Sequence, residues 1–179
     1  MAEPARYGLM IDLETLSLNS TAFVLQIGWV LYDFHRYDVV QAACYGVHAD
    51  GQENANVRPE TVTWWHKQSQ AARDSVFGNR FPTVHHSELL RTLKALDLEF
   101  QPLVWAGPAM FDLPILVNLL GERPWNYGRE RDFSTVRKLY DPIGFHRPVF
   151  AGEPHVAGDD ALHQMRYLVA LHKQYNVHR

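Results

Sequence analysis

Residues 22–34, AFVLQIGWVLYDF, commit this chain to a β-sheet. The run is dense in Val, Leu, Ile, Trp, Tyr and Phe, which pack best on a pleated surface, and it reads as one long strand. Residues 7–14 (YGLMIDLE) and 38–48 (DVVQAACYGVH) read as strands on either side of it. Their short connections predict antiparallel neighbours. The pattern then changes. Residues 60–72 and 86–97 are predicted helices, the second with Leu89, Leu90, Leu93 and Leu96 at helical spacing. Residues 102–106 form a short apolar strand. A helix is predicted from about Pro114 to a stop at Gly121, another over 134–140, and a last one over 158–175. Three strands followed by helix–strand–helix alternation predict an α/β domain with a mixed sheet flanked by helices. Residues 49–60 and 141–157 are the predicted long loops.

Composition narrows the possible functions. With 179 residues, 46% of them apolar, one domain over 1–179 is expected. The single Cys44 excludes an internal disulfide and a Cys-rich zinc site, and is predicted to be a small core residue. No long apolar stretch precedes Asp12 and Glu14, and no window approaches ~18 uninterrupted apolar residues, so neither a secretory signal nor a membrane span is expected. A reducing cytoplasm is the expected compartment, and the Asn19-Ser20-Thr21 sequon is not expected to be used. The formal net charge of −3, from 17 basic and 20 acidic residues, argues against a general polyanion binder. No G-x-S-x-G, Walker or G-x-G-x-x-G pattern occurs, which removes the usual support for serine hydrolases, P-loop enzymes and Rossmann dehydrogenases.

The acids carry the remaining information. Asp12 and Glu14 lie one residue apart in an apolar strand, so both carboxylates share one face, with Cα atoms roughly 6.6 Å apart. They mark either the solvated end of an edge strand or a site where a cation offsets their repulsion. Asp112, in WAGPAMFDLPIL, is placed at a helix start by Pro114, where it is an N-cap or a ligand. His155 precedes Asp159 and Asp160, which open the last helix. Successive helical residues diverge by about 100°, so one of the two caps and the other binds.

In chain order these are Asp-x-Glu on a first strand, Phe-Asp opening a helix, and His-x-x-x-x-Asp opening a final helix. The arrangement resembles the DEDDh group of 3′–5′ exonucleases, the proofreading-exonuclease superfamily with a ribonuclease H-like fold. Val156 stands where the tyrosine variant of that superfamily would carry Tyr, which indicates the histidine form. The segments 61–73, 103–116, 124–142 and 155–168 look like the phage-type branch, which is similar to a bacterial exoribonuclease family that trims adenosine-rich RNA. The resemblance spans about residues 8 to 170. LSLNSTAF after Glu14, Ser134 and Ala106 depart from the branch near the expected substrate channel.

The resemblance implies a ribonuclease H-like mixed sheet, three antiparallel strands then parallel ones. It implies two divalent cations, Mg²⁺ or Mn²⁺, held by Asp12, Glu14, Asp112 and Asp160, with His155 taking the proton of the attacking water. The implied substrate is the 3′ end of single-stranded nucleic acid, RNA favoured over DNA, with nucleoside 5′-monophosphates released. Exodeoxyribonuclease activity, or a non-catalytic nucleic-acid-binding module on the same fold, are the rival readings. Relatives of this type are often homodimers. Thr15 and Leu16 either pack the strand end or meet the terminal nucleotide. Of Trp64 and Trp65, adjacent on a helix, at least one belongs to the core and the other is open to base stacking, as is Phe111. Arg131, with Arg129, Arg137 and Lys138, sits in a mixed-charge stretch that holds phosphates, meets a partner subunit, or is a solvated helix face. Setting aside the four site acids turns −3 into +1 for the rest of the chain. The protein should therefore grip a short terminus at its cations rather than along a basic surface.

Overall fold

A computed structural model of the chain describes residues 5–178. The three predicted strands are β1 (Tyr7–Thr15), β2 (Val24–Asp33) and β3 (Asp38–Val47). They pair antiparallel, as their short connections demanded. Next come α1 (Pro59–His66), α2 (Gln70–Phe77), β4 (Thr83–Val84), α3 (His86–Phe100), β5 (Leu103–Ala106) and α4 (Ala109–Leu120). A 3₁₀ turn at Tyr127–Arg129, β6 (Glu130–Asp132), α5 (Phe133–Tyr140) and α6 (Ala157–Tyr175) complete the order. The sheet runs β4-β3-β2-β1-β5-β6, with β5, β6 and β4 parallel to their neighbours. This is the ribonuclease H-like α/β architecture.

The alternation along β1 sorts the molecule into two cores. Leu9, Ile11 and Leu13 face the layer that holds Leu89, Leu93, Leu113 and Leu116 from α3 and α4. Met10 faces the opposite layer with Trp105, Phe133, Met165 and Leu168. Asp12 and Glu14 follow Met10 at period two and share its side of the sheet. β1 is flanked on both sides, so the edge-strand alternative for the acidic pair falls away.

One close approach fixes where α6 begins. A Cβ at Gly28 of β2 would lie 2.1 Å from the backbone of Ala157, so only glycine admits the helix start there. Gln26, the polar interruption of the 22–34 run, is fully buried and does matching work. Its Oε1 accepts from Ala157 N at 2.8 Å and its Nε2 donates to Ser75 O at 3.0 Å, joining the start of α6 to α2 through β2.

Several boundaries differ from the predicted ones. The 60–72 segment is two helices, because Ser69 caps α2 by accepting from Ala72 N. The helix expected near Pro114 starts five residues earlier, at Ala109, whose N–H is satisfied by Asp132 at 2.6 Å. Pro114 is accommodated inside it. The mixed-charge stretch is divided: Arg129 ends the 3₁₀ turn, Arg131 lies in β6, which extends the sheet beside β5, and Arg137 and Lys138 lie on α5, the helix expected there. α6 begins at Ala157 with Val156 at its cap, so neither Asp159 nor Asp160 caps it. Cys44 is half-buried against Gly158 rather than fully in the core.

Candidate active site

The parallel strands β1 and β5 end beside the start of α6, and the carboxylates gather there. Asp12 and Glu14 come from β1, Asp112 from the first turn of α4, and Asp160 from the first turn of α6. All four line one hollow of about 290 Å³ with His155, Gln164, Phe111, Gly107 and Pro108. Ligand atoms of Glu14, His155 and Asp160 lie within 4.8 Å of one another. Asp112 does not cap its helix. It is 3% exposed and accepts from Leu13 N at 3.2 Å, which ties α4 to β1.

The electrostatics are those of an unneutralised cluster. Burial, then the charges of Asp112, Glu14 and Asp160, push the Asp12 carboxyl well above the carboxylate range. Burial, then Asp160 and Asp112, do the same to Glu14. Burial pushes Asp112 up to about 7 against the pull of the Leu13 N–H. Asp160 is raised by burial, opposed by the His155 N–H at 2.7 Å and by the His155 side chain. Carboxylate oxygens brought together out of water are a donor set for a hard divalent cation, which would reverse each of these repulsions. The residues present therefore fit such ions.

Residues outside the sequence expectation complete the site. Gln164 donates Nε2 to Asp12 Oδ1 at 2.7 Å. It lies one helical turn beyond Asp160, and that i, i+4 spacing was the available signal. Asp159 accepts from Glu153 N at 2.9 Å, so the acid expected to cap α6 instead braces the preceding loop. His155 itself has φ of +65°, uncommon for a side chain with a Cβ.

A second hollow of about 400 Å³ adjoins the first through Glu14, Leu13 and Phe111. Its other walls are Thr15, Leu18, Glu60, Thr61, Trp64 and Trp65. The two tryptophans divide as their adjacency predicts: Trp65 is 1% exposed and donates Nε1 to Thr15 O at 2.9 Å, while Trp64 is 40% exposed. Thr15 is buried in the wall, its hydroxyl donating to Ser17 O. Leu16 lines neither hollow. Its backbone pairs with Phe23 and Arg58, and Leu18 occupies the wall instead. Arg131 lines neither hollow as well; its guanidinium donates to the carbonyls of Gly128 and Glu130.

A ribonuclease H-like sheet with this carboxylate cluster is the scaffold of the DEDDh exonucleases. The nuclease domain of 3′hExo, a DEDDh family member solved with rAMP, superposes with a TM-score of 0.62 at 14% identity, over 100% of this chain and 98% of that one. Exonuclease I of E. coli, solved with single-stranded DNA and zinc, gives 0.69 at 11% identity, over 97% of this chain. This chain spans only 42% of that protein. A 3′-exonuclease that recognises a histone mRNA stem-loop gives 0.61 at 13% identity, over 97% of this chain and 84% of its own. These likenesses establish the fold. No curated protein sequence matches the chain. The Rv2179c-like 3′–5′ exoribonuclease domain family matches residues 7–172, and the chain belongs to it. It is thus a metal-dependent 3′–5′ exonuclease.

Proposed function

We propose that this chain acts as one domain that shortens single-stranded RNA from its 3′ end and releases nucleoside 5′-monophosphates. The observation that carries the reading is the convergence of Asp12, Glu14, Asp112 and Asp160 with His155 on one hollow that opens into an apolar pocket. The four carboxylates would hold two divalent cations, Mg²⁺ or Mn²⁺. When bound, such ions polarise the phosphate and lower the pKa of water. Gln164 fixes the orientation of Asp12 through its hydrogen bond. His155 accepts the proton of the attacking water, a task that suits an imidazole at neutral pH. The pocket, within the ordinary size range of small-ligand sites, takes the terminal base against Trp64, Leu18 and Phe111. RNA is favoured over DNA because the family is one of exoribonucleases. Among the described residues no helix is long and apolar enough to cross a membrane.

The test uses 5′-labelled and 3′-labelled oligonucleotides, as RNA and as DNA, with Mg²⁺, Mn²⁺ or EDTA. The expected result is a ladder of stepwise-shortened 5′-labelled RNA, weaker action on DNA, and none with EDTA. No EDTA-sensitive shortening of either polymer would sink the reading; DNA shortened faster than RNA would move it to the deoxyribonuclease rival.

A further inference from the structure

The loop that carries His155 is held from two sides. On the inner side, Asp159 and Asp160 of α6 accept the backbone N–H groups of Glu153 and His155. A Cβ at Gly152 would sit 2.5 Å from Asp159 Cγ, so the loop lies flat on the helix start. On the outer side, the Glu153 carboxylate accepts the hydroxyl of Ser69 from the cap of α2. The His155 ring meets the Trp64 ring at 4.8 Å between centroids and 82°, an edge-to-face contact. Trp65, next to Trp64 on α1, is tied by its indole N–H to Thr15 O at the end of β1. The clasp is therefore referenced to the strand that supplies Asp12 and Glu14.

These contacts point beyond loop packing. His155 occupies a left-handed backbone conformation in a long loop, a position that wanders unless it is over-determined. The outer contacts come from α1 and the cap of α2, and α1 also supplies Trp64 and Trp65 to the apolar pocket. One element thus bounds the place for the terminal base and the ring that takes the proton. We propose that Glu153, bonded to Ser69, and Trp64, edge-on to His155, are positioning residues that fasten the His155 loop to α1 and α2. The proposal rests on the exonuclease reading for its effect on turnover, but the clasp itself does not.

The experiment compares Glu153→Ala with Glu153→Gln, which keeps an oxygen to accept the Ser69 hydroxyl. Glu153→Ala leaves the α2 cap untouched, since Ser69 still accepts from Ala72 N. The expected result is a kcat about tenfold lower with KM within about twofold, recovered in large part by Glu153→Gln. A second readout needs no activity. The His155 ring-proton resonances of the full chain, assigned by their loss in His155→Ala, should move in Trp64→Leu and in Glu153→Ala as the indole ring current is removed or displaced. Unchanged kcat in Glu153→Ala overturns the proposal, as do His155 resonances that ignore both substitutions. If the unmodified chain shortens no RNA, the exonuclease reading fails instead, and the resonances still decide whether the loop is fastened.

Discussion

Asp112→Asn should make the metal-free protein more stable while abolishing its activity. The substitution is nearly isosteric and keeps an oxygen to accept the Leu13 N–H. What it removes is a buried charge. The Asp112 carboxyl rises from its ordinary 3.8 to about 7 on folding. Between those values the folded chain binds more protons than the unfolded one, so stability falls as the pH climbs. At pH 7 the penalty is about 4 kcal/mol, and at pH 5 it is under about 2 kcal/mol, at roughly 1.36 kcal/mol for each unit. Below about pH 3 it vanishes, because the carboxyl is then protonated in both states. Neutralising Asp112 also relieves Asp12 and Glu14, whose carboxyls its charge helps to raise. In EDTA the variant should therefore melt roughly 8–16 °C above the parent at pH 7, a gap that narrows markedly by pH 5. A divalent cation at about a hundredfold its Kd stabilises the parent by roughly 2.7 kcal/mol and should close most of the gap. Thermal unfolding at the two pH values, with EDTA or Mg²⁺, decides the matter. A variant less stable at both, or a gap indifferent to pH and cation, would refute the account of an electrostatically strained cluster.

Other substitutions test separate parts of the architecture. Asp12→Ala should reduce turnover below detection at saturating Mg²⁺ while circular dichroism shows the fold intact; wild-type turnover would reject the site. Gln164→Ala should lower kcat by about 10- to 100-fold with little change in melting temperature, since it frees a ligand carboxylate without opening the core. Gly28→Ala should destabilise the protein by about 1–3 kcal/mol and weaken divalent-cation binding, because the added methyl pushes the start of α6, and Asp160 with it, off β2. Denaturant titration and calorimetry would measure the two effects.

The three long strands were legible from local rules, whereas the four acids could be joined into one candidate site only through the resemblance that their order along the chain carries. Alternation placed Asp12 and Glu14 on one face whatever the rest of the chain did. The 22–34 run could hardly be anything other than strand. What escaped was decided by distant partners. The helix through Pro114 starts early because Asp132, 23 residues away, accepts the Ala109 N–H. β6 carries the polar sequence Glu-Arg-Asp and becomes a strand only by pairing with β5. Leu16 and Leu18 are alike in type, and the turn after β1, pinned by Arg58 and Phe23, determines which faces the pocket. Gln164 was visible in principle as the next turn beyond Asp160. Glu153 was not, because Ser69 is 84 residues from it along the chain.

The placement of Asp160 on the last helix has a consequence for biogenesis. The β1–β2–β3 meander is built from near neighbours and can form while much of the chain is still being made. Asp12 meets Gln164 only across 152 residues of sequence. Without α6 the layer around Met10 and Trp105 is open, Asp160 is missing, and the loop of His155 has lost the two carboxylates that hold it. The four carboxylates are thus brought together only once α6 has been made and packed onto β2.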